Sequence, residues 1–152
     1  MDIKAKSAYP ASALSNFAPH SFEIDGVKCA SMEGFLQSLK VTDPFFQIDV
    51  CQLVGSDARH WGDEHNAEWR KAQTLWWQSK AYDRHSPEYQ ELLDRAFEAL
   101  LKNEDFRRAL LITNQETLTH SIGQTDPHIS ILTQEEFCSR LMKMRSRLLL
   151  KK

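Results

Sequence analysis

The 152-residue chain is short of the residues that build the common nucleotide, hydrolase and metal sites. It has five glycines and no glycine-rich phosphate motif, which disfavours the ordinary phosphate-cradling folds. A GxSxG turn is also missing, and no cysteine has an evident base nearby, so the usual acyl hydrolases are disfavoured too. The three cysteines, Cys29, Cys51 and Cys138, are too widely spaced for a disulfide framework or a paired metal motif. They read as buried small apolar residues suited to a reducing compartment. Of the six histidines, His60 and His65 are five apart and fall on different helical faces, so no metal site is expected, and no cofactor. No run of about 18 apolar residues exists, and the opening MDIKAKSAYPAS lacks the apolar centre of a secretion signal. The expectation is a cytoplasmic protein with no membrane partner. Nineteen Lys and Arg stand against 21 Asp and Glu, a formal charge of −2, so any nucleic-acid contact has to be local.

What is present suits one compact domain over residues 1–152, with 41% hydrophobic content to fill its core. SFEIDGVKC, residues 21–29, is two short runs around Asp25-Gly26, a favoured pair for a two-residue hairpin turn. Ser31 then caps a helix through SMEGFLQSLK, which Asp43-Pro44 is expected to end. PFFQIDVCQLV reads as a second short helix broken at Gly55, followed by a polar stretch containing Gly62. From Ala67, AEWRKAQTLWWQSKAYD carries Trp69, Ala72 and Trp76 at helical spacing. Ser86-Pro87 restarts the chain into a long helix, and Asn103 caps EDFRRALLI. Residues 113–133 lose periodicity and read as a long surface loop. Thr133 and Glu136 form a capping box for the final helix, whose stripe is Phe137, Leu141, Met144 and Leu148. The predicted class is α+β, mostly α-helical, with a small β-hairpin or sheet.

Three features bear on chemistry. On the first long helix, at about 100° per residue, Met32, Phe35, Leu36 and Leu39 form an apolar stripe. Glu33, Gln37 and Lys40 gather within roughly 60° beside it, either as a solvated flank or as the wall of a pocket. Gly34 and Ser38 lie on the remaining side, where another backbone can approach closely. Four tryptophans cluster between positions 61 and 77; packing explains most of them, and at least one is free to serve a pocket or an interface. The basic residues Arg140, Lys143, Arg147 and Lys151 on the last helix read as a solvated face rather than a phosphate site.

The combination Ser15-Asn16-Phe17, then Asp25-Gly26, then Ser31, Glu33, Gln37 and Lys40 resembles the NADAR (NAD and ADP-ribose related) family, which includes the YbiA-like proteins. ARHWG at 58–62, Trp69, FRRALLIT and LMKMRSRL extend the similarity over about residues 14–148. The resemblance implies a mostly helical α+β fold and hydrolysis of an N-glycosidic bond between ribose and an amine-bearing base. It points to ADP-ribosyl-guanine in nucleic acid, DNA included, or in nucleotides. Alternatives are phosphoribosylamino-pyrimidine intermediates of riboflavin synthesis, or a non-catalytic module that binds ADP-ribose. Glu33, Lys40 and Asp126 are the implied catalytic residues. Asp126 stands where YbiA-like members carry an acidic residue shortly before Trp-Gly, although this chain reads THSIGQTDPHISIL there. Asn16, Phe17, Gln37, Trp69, Ser121 and Gly123 are the implied substrate contacts.

Overall fold

The computed structural model describes residues 1–151. A short helix α1 (Ala11–Leu14) leads into the hairpin β1 (Phe22–Ile24) and β2 (Val27–Cys29). Ile24 pairs with Val27, and the turn residues Asp25 and Gly26 both take positive φ, as the expected two-residue turn requires. Inward-facing Phe22, Ile24, Val27 and Cys29 are buried, while Glu23 and Lys28 face out. The chain then enters α2 (Met32–Ser38), where the Ser31 hydroxyl accepts from the Gly34 N–H at 3.0 Å and donates to the Leu53 carbonyl at 2.9 Å. One side chain thereby caps the helix and ties it to the chain beyond the next one.

α2 is surrounded, which is why every one of its residues is buried. Met32, Phe35, Leu36 and Leu39 enter the core, with Phe35 edge-on to Trp77 at 5.0 Å and to Phe22 at 6.2 Å. On the small side, Gly34 lies so close to the following chain that a Cβ would sit 2.5 Å from the Leu53 carbonyl oxygen. The helix ends at Ser38 rather than continuing to Asp43-Pro44. Those two residues instead begin α3 (Pro44–Val50), Asp43 accepting from the Phe45 N–H at 2.9 Å with proline in the first turn.

Two further sequence expectations differ from the structure. The polar stretch around Gly62 is a helix, α4 (Gly55–Asp63), which packs along α2. Its polar composition suits an exposed outer face, and Gly62 and Ala58 form the buried inner one. The presumed long helix from Ala67 is α5 (Asn66–Ala72) followed by a second hairpin, β3 (Thr74–Trp77) and β4 (Lys80–Asp83). Gln73 ends α5 at φ 49°, and Gln78 and Ser79 make the hairpin turn at φ 50° and 71°. Thr-Leu-Trp-Trp is strand-favouring. Period-two geometry also accommodates the tryptophan pair, with Trp77 buried and Trp76 facing the opposite side.

The remaining helices follow the pattern read from the sequence. They are α6 (Pro87–Leu101), α7 (Glu104–Ile112) and α8 (Gln134–Leu150). Ser86, Asn103 and Thr133 cap them, and the Thr133 and Glu136 capping box is complete. Tyr89, Leu93, Phe97, Phe106, Phe137 and Leu141 join the α2 stripe in one core. Arg84 is buried beside this core and held by two hydrogen bonds to the Glu136 carboxylate at 2.7 and 3.0 Å. Residues 113–133 carry no helix or strand, apart from an isolated bridge between Thr119 and Asp2. No helix among the described residues is long and apolar enough to cross a membrane.

Candidate active site

The polar edge of α2 is not solvated. Glu33, Gln37 and Lys40 are each at most 7% exposed, and they line a pocket of about 200 Å³ closed by α4, α5 and the 120–132 loop. The Gln37 amide donates to a Glu33 carboxylate oxygen at 2.9 Å, the i, i+4 contact that helical spacing provides. Its own oxygen is buried without a partner and lies over Gly62, where a Cβ would stand 1.8 Å from it. Gly62 is therefore what lets α4 seat against the polar edge of α2. The Lys40 amine donates to the Gly62 carbonyl at 3.0 Å, fixing the side chain across the same contact.

This environment moves both ionisable groups toward their neutral forms. Burial raises the Glu33 carboxyl above its ordinary range, against the opposing pull of the Gln37 hydrogen bond and the Arg59 and Lys40 charges. Burial likewise pushes the Lys40 amine down to about 8, although the Asp63 and Glu33 carboxylates favour its charged form. Arg59 and Asp63 are paired at 3.2 Å one turn apart on α4. Arg70 on α5 donates to the Ile129 carbonyl at 2.8 Å, tying the loop to the pocket rim.

The other sequence candidates divide into those inside the pocket and those outside. Asn16 and Phe17 line it from the segment after α1, and the Asn16 side-chain oxygen is buried without a partner. Trp69 lies in its wall, fully buried, with its indole N–H donated to Asn66 at 3.0 Å. Gly123 contributes from the loop, packed so closely on His120 that a Cβ would stand 2.6 Å from the ring. Ser121 is turned away from the pocket, its hydroxyl and N–H both bound by the Asp2 carboxylate. Asp126 is also outside, half-exposed on the loop, accepting from the His128 N–H at 2.9 Å and its ring at 3.0 Å. Those bonds lower its pKa, so it is an ionised turn-forming carboxylate. Position in the loop alone did not reveal this, because Pro127 and His128 turn the chain there.

Among the pocket's charged and imidazole side chains, Arg59, Asp63 and Arg70 had no role in the sequence reading, and His120 entered it only as a residue of the long loop. The first two are an ordinary i, i+4 surface pair by spacing, and only the close approach of α4 to α2 brings them to the site. The α2·α4 packing had a signal in Gly62, which sequence analysis placed in a connector.

The family model for Bacteriophage protein GP30.3 matches residues 8–146. The chain belongs to that family. It is 36% identical over 151 residues to an uncharacterized 17.1 kDa protein of Enterobacteria phage T4 from the Gp30–rIII intergenic region, covering 97% of this chain and 98% of the relative. Its fold is that of Escherichia coli YbiA, with a TM-score of 0.64 over 99% of this chain and 85% of YbiA at 16% identity. The YbiA-like architecture implied by the SNF, DG and SxExxxQxxK motifs is thus present in three dimensions. The family match also spans both sides of the pocket, from Asn16 to the loop and α8.

Proposed function

We propose that the protein is an N-glycosidase that cleaves the bond between ribose, as in ADP-ribose, and an amine-bearing base, with ADP-ribosyl-guanine in nucleic acid or nucleotides as the substrate. The observation that carries this reading is the pairing of Glu33 and Lys40 in one pocket, the first shifted up and the second down by the same burial. A carboxyl whose pKa burial raises is suited to act as general acid for the departing base, and an amine titrating near 8 is a nucleophile within reach of neutral pH. Glu33 gives its proton to the base as the C1′–N bond breaks. Lys40 meets the electron-poor C1′ and forms an imine with the opened sugar, which water then hydrolyses to release ribose and restore the amine. The Gly62 carbonyl accepts one N–H of Lys40, leaving the lone pair of the neutral amine for the carbon.

Binding follows from the same pocket. The unpartnered oxygen of Asn16 suits a ligand bringing a hydrogen-bond donor, which a sugar hydroxyl supplies. Arg59 and Arg70 suit its phosphates, and Trp69 supports the apolar wall beside the base. The test is incubation with an oligonucleotide carrying ADP-ribosylated guanine, together with a phosphoribosylamino-pyrimidine, followed by detection of the released sugar. Free ADP-ribose supports the proposed substrate, and release from the pyrimidine alone moves the substrate class. ADP-ribose binding with no release from either would make the protein a binding module.

A further inference from the structure

We infer that His120 is the second proton-transfer group of this pocket, the base that activates water from the loop wall facing Glu33 and Lys40. The inference rests on the glycosidase reading and assigns a residue that the motifs on α2 do not contain. His120 lines the pocket, whereas Asp126, the loop's carboxylate candidate, does not. Its Nδ1 lies 2.7 Å from the Ile3 carbonyl oxygen. A carbonyl only accepts, so Nδ1 carries the hydrogen and the neutral ring keeps its basic lone pair on Nε2. No described residue hydrogen-bonds that nitrogen, leaving it for a ligand or water.

The ring is also held still. It stands edge-on to Phe137 at 5.3 Å, and Gly123 supplies the space on which its Cδ2 edge rests. The loop bearing it is fastened to the start of the chain on both sides of His120. Asp2 bridges Thr119, and the Ile3 N–H donates to the Thr119 carbonyl at 2.8 Å. The Asp2 carboxylate accepts from the Ser121 N–H at 2.8 Å and from its hydroxyl at 2.5 Å. An imidazole oriented at Nδ1 by an acceptor, with Nε2 open, is the arrangement general-base catalysis needs. Charged groups around it are Glu33 on α2, Lys40 just beyond its end, Arg59 and Asp63 on α4, Arg70 on α5, and Asp2 on the opening segment.

The step balances without any further reactant. Glu33 has given its proton to the departing base. Water then adds through oxygen to the sugar C1′, held as the Lys40 imine, while Nε2 takes the water proton. The resulting carbinolamine collapses to the sugar carbonyl as the C1′–N bond to Lys40 breaks, the Lys40 nitrogen receives the proton from His120, and the hydroxyl proton passes to solvent. Solvent returns a proton to Glu33.

Three measurements test this assignment. His120→Gln should lower kcat by about a hundredfold or more, the scale of a positioned base, and KM with it, because the slowed step follows release of the base. The Lys40 imine should also accumulate in the variant, so that borohydride traps more ribosyl adduct than in the wild type, which a packing role would not cause. In the wild-type protein with 15N-labelled histidine, ADP-ribose should shift the His120 Nε2 resonance and leave Nδ1 hydrogen-bonded as before. An active wild type, a His120→Gln variant with the same rate and no added adduct, and an unmoved Nε2 would overturn the role of His120 alone. A wild type inactive on every ribosyl substrate would overturn both that role and the glycosidase reading.

Discussion

At the residue scale, one buried polar edge shifts an acid and a base in opposite directions. The partners of Glu33 and Lys40 are mostly neutral dipoles, the Gln37 amide and the Gly62 carbonyl, so desolvation outweighs the more distant charges. A consequence can be read in stability. Lys40 titrates near 8 when folded and near 10.5 ordinarily, so between those values the unfolded chain binds more protons. Its contribution to stability therefore rises with pH through that window. Glu33 does the reverse, because its folded pKa is raised: its contribution falls as pH climbs from the ordinary carboxyl value toward the folded one. In denaturant titrations from pH 8 to 10.5, Lys40→Met should flatten the wild-type rise; an unchanged slope would show that Lys40 titrates normally.

The same residue separates covalent from direct attack. Borohydride added during turnover should trap a ribosyl adduct on Lys40, identified by mass spectrometry, and Lys40→Arg should lose both adduct and activity. An active arginine variant without adduct would leave Lys40 as an electrostatic contact, with water as the attacking group.

At the scale of elements, close approach of α2 to its neighbours makes the site possible. Gly34 admits the chain around Leu53 on one side, and Gly62 admits Gln37 on the other. Gly34→Ala meets backbone rather than a movable side chain, so it should destabilise the fold by about 1–3 kcal/mol in urea unfolding, the usual range for overpacking. A variant as stable as wild type would mean that the α2 and Leu53 segments separate freely. Ser31, Asp25-Gly26 and the Thr133 and Glu136 box were legible in sequence because a cap or turn depends on residues only a few positions apart. Gly34 was legible as well, through its place on the small side of the helix. The β3–β4 hairpin was not. Trp69, Ala72 and Trp76 satisfy a helical period, and what overrides it is the left-handed Gln73, whose amide donates to the Arg70 and His128 carbonyls. That second partner lies in the distant loop, beyond the reach of local pattern.

At the scale of the whole molecule, the pocket is assembled from separate stretches of chain that no spacing rule connects. The α2 edge was readable because three of its residues share a helical face. His120 and Arg70 arrive through contacts with Ile3 and Ile129, and Asp126 was misleading because its loop turns it outward. Among the described residues no group of three or more His, Cys, Asp or Glu is placed to hold an ion. Turnover should accordingly survive EDTA; loss of activity restored by a divalent ion would show that a metal takes part.

The central claim is that Glu33 is the acid that releases the base. Its most direct test is the rate at which free ADP-ribose appears from an ADP-ribosylated guanine oligonucleotide with wild-type protein and with Glu33→Gln at matched concentration. The account predicts release by the wild type and a rate at least about a hundredfold lower in the folded variant. Equal rates, or no release by the wild type, would contradict it.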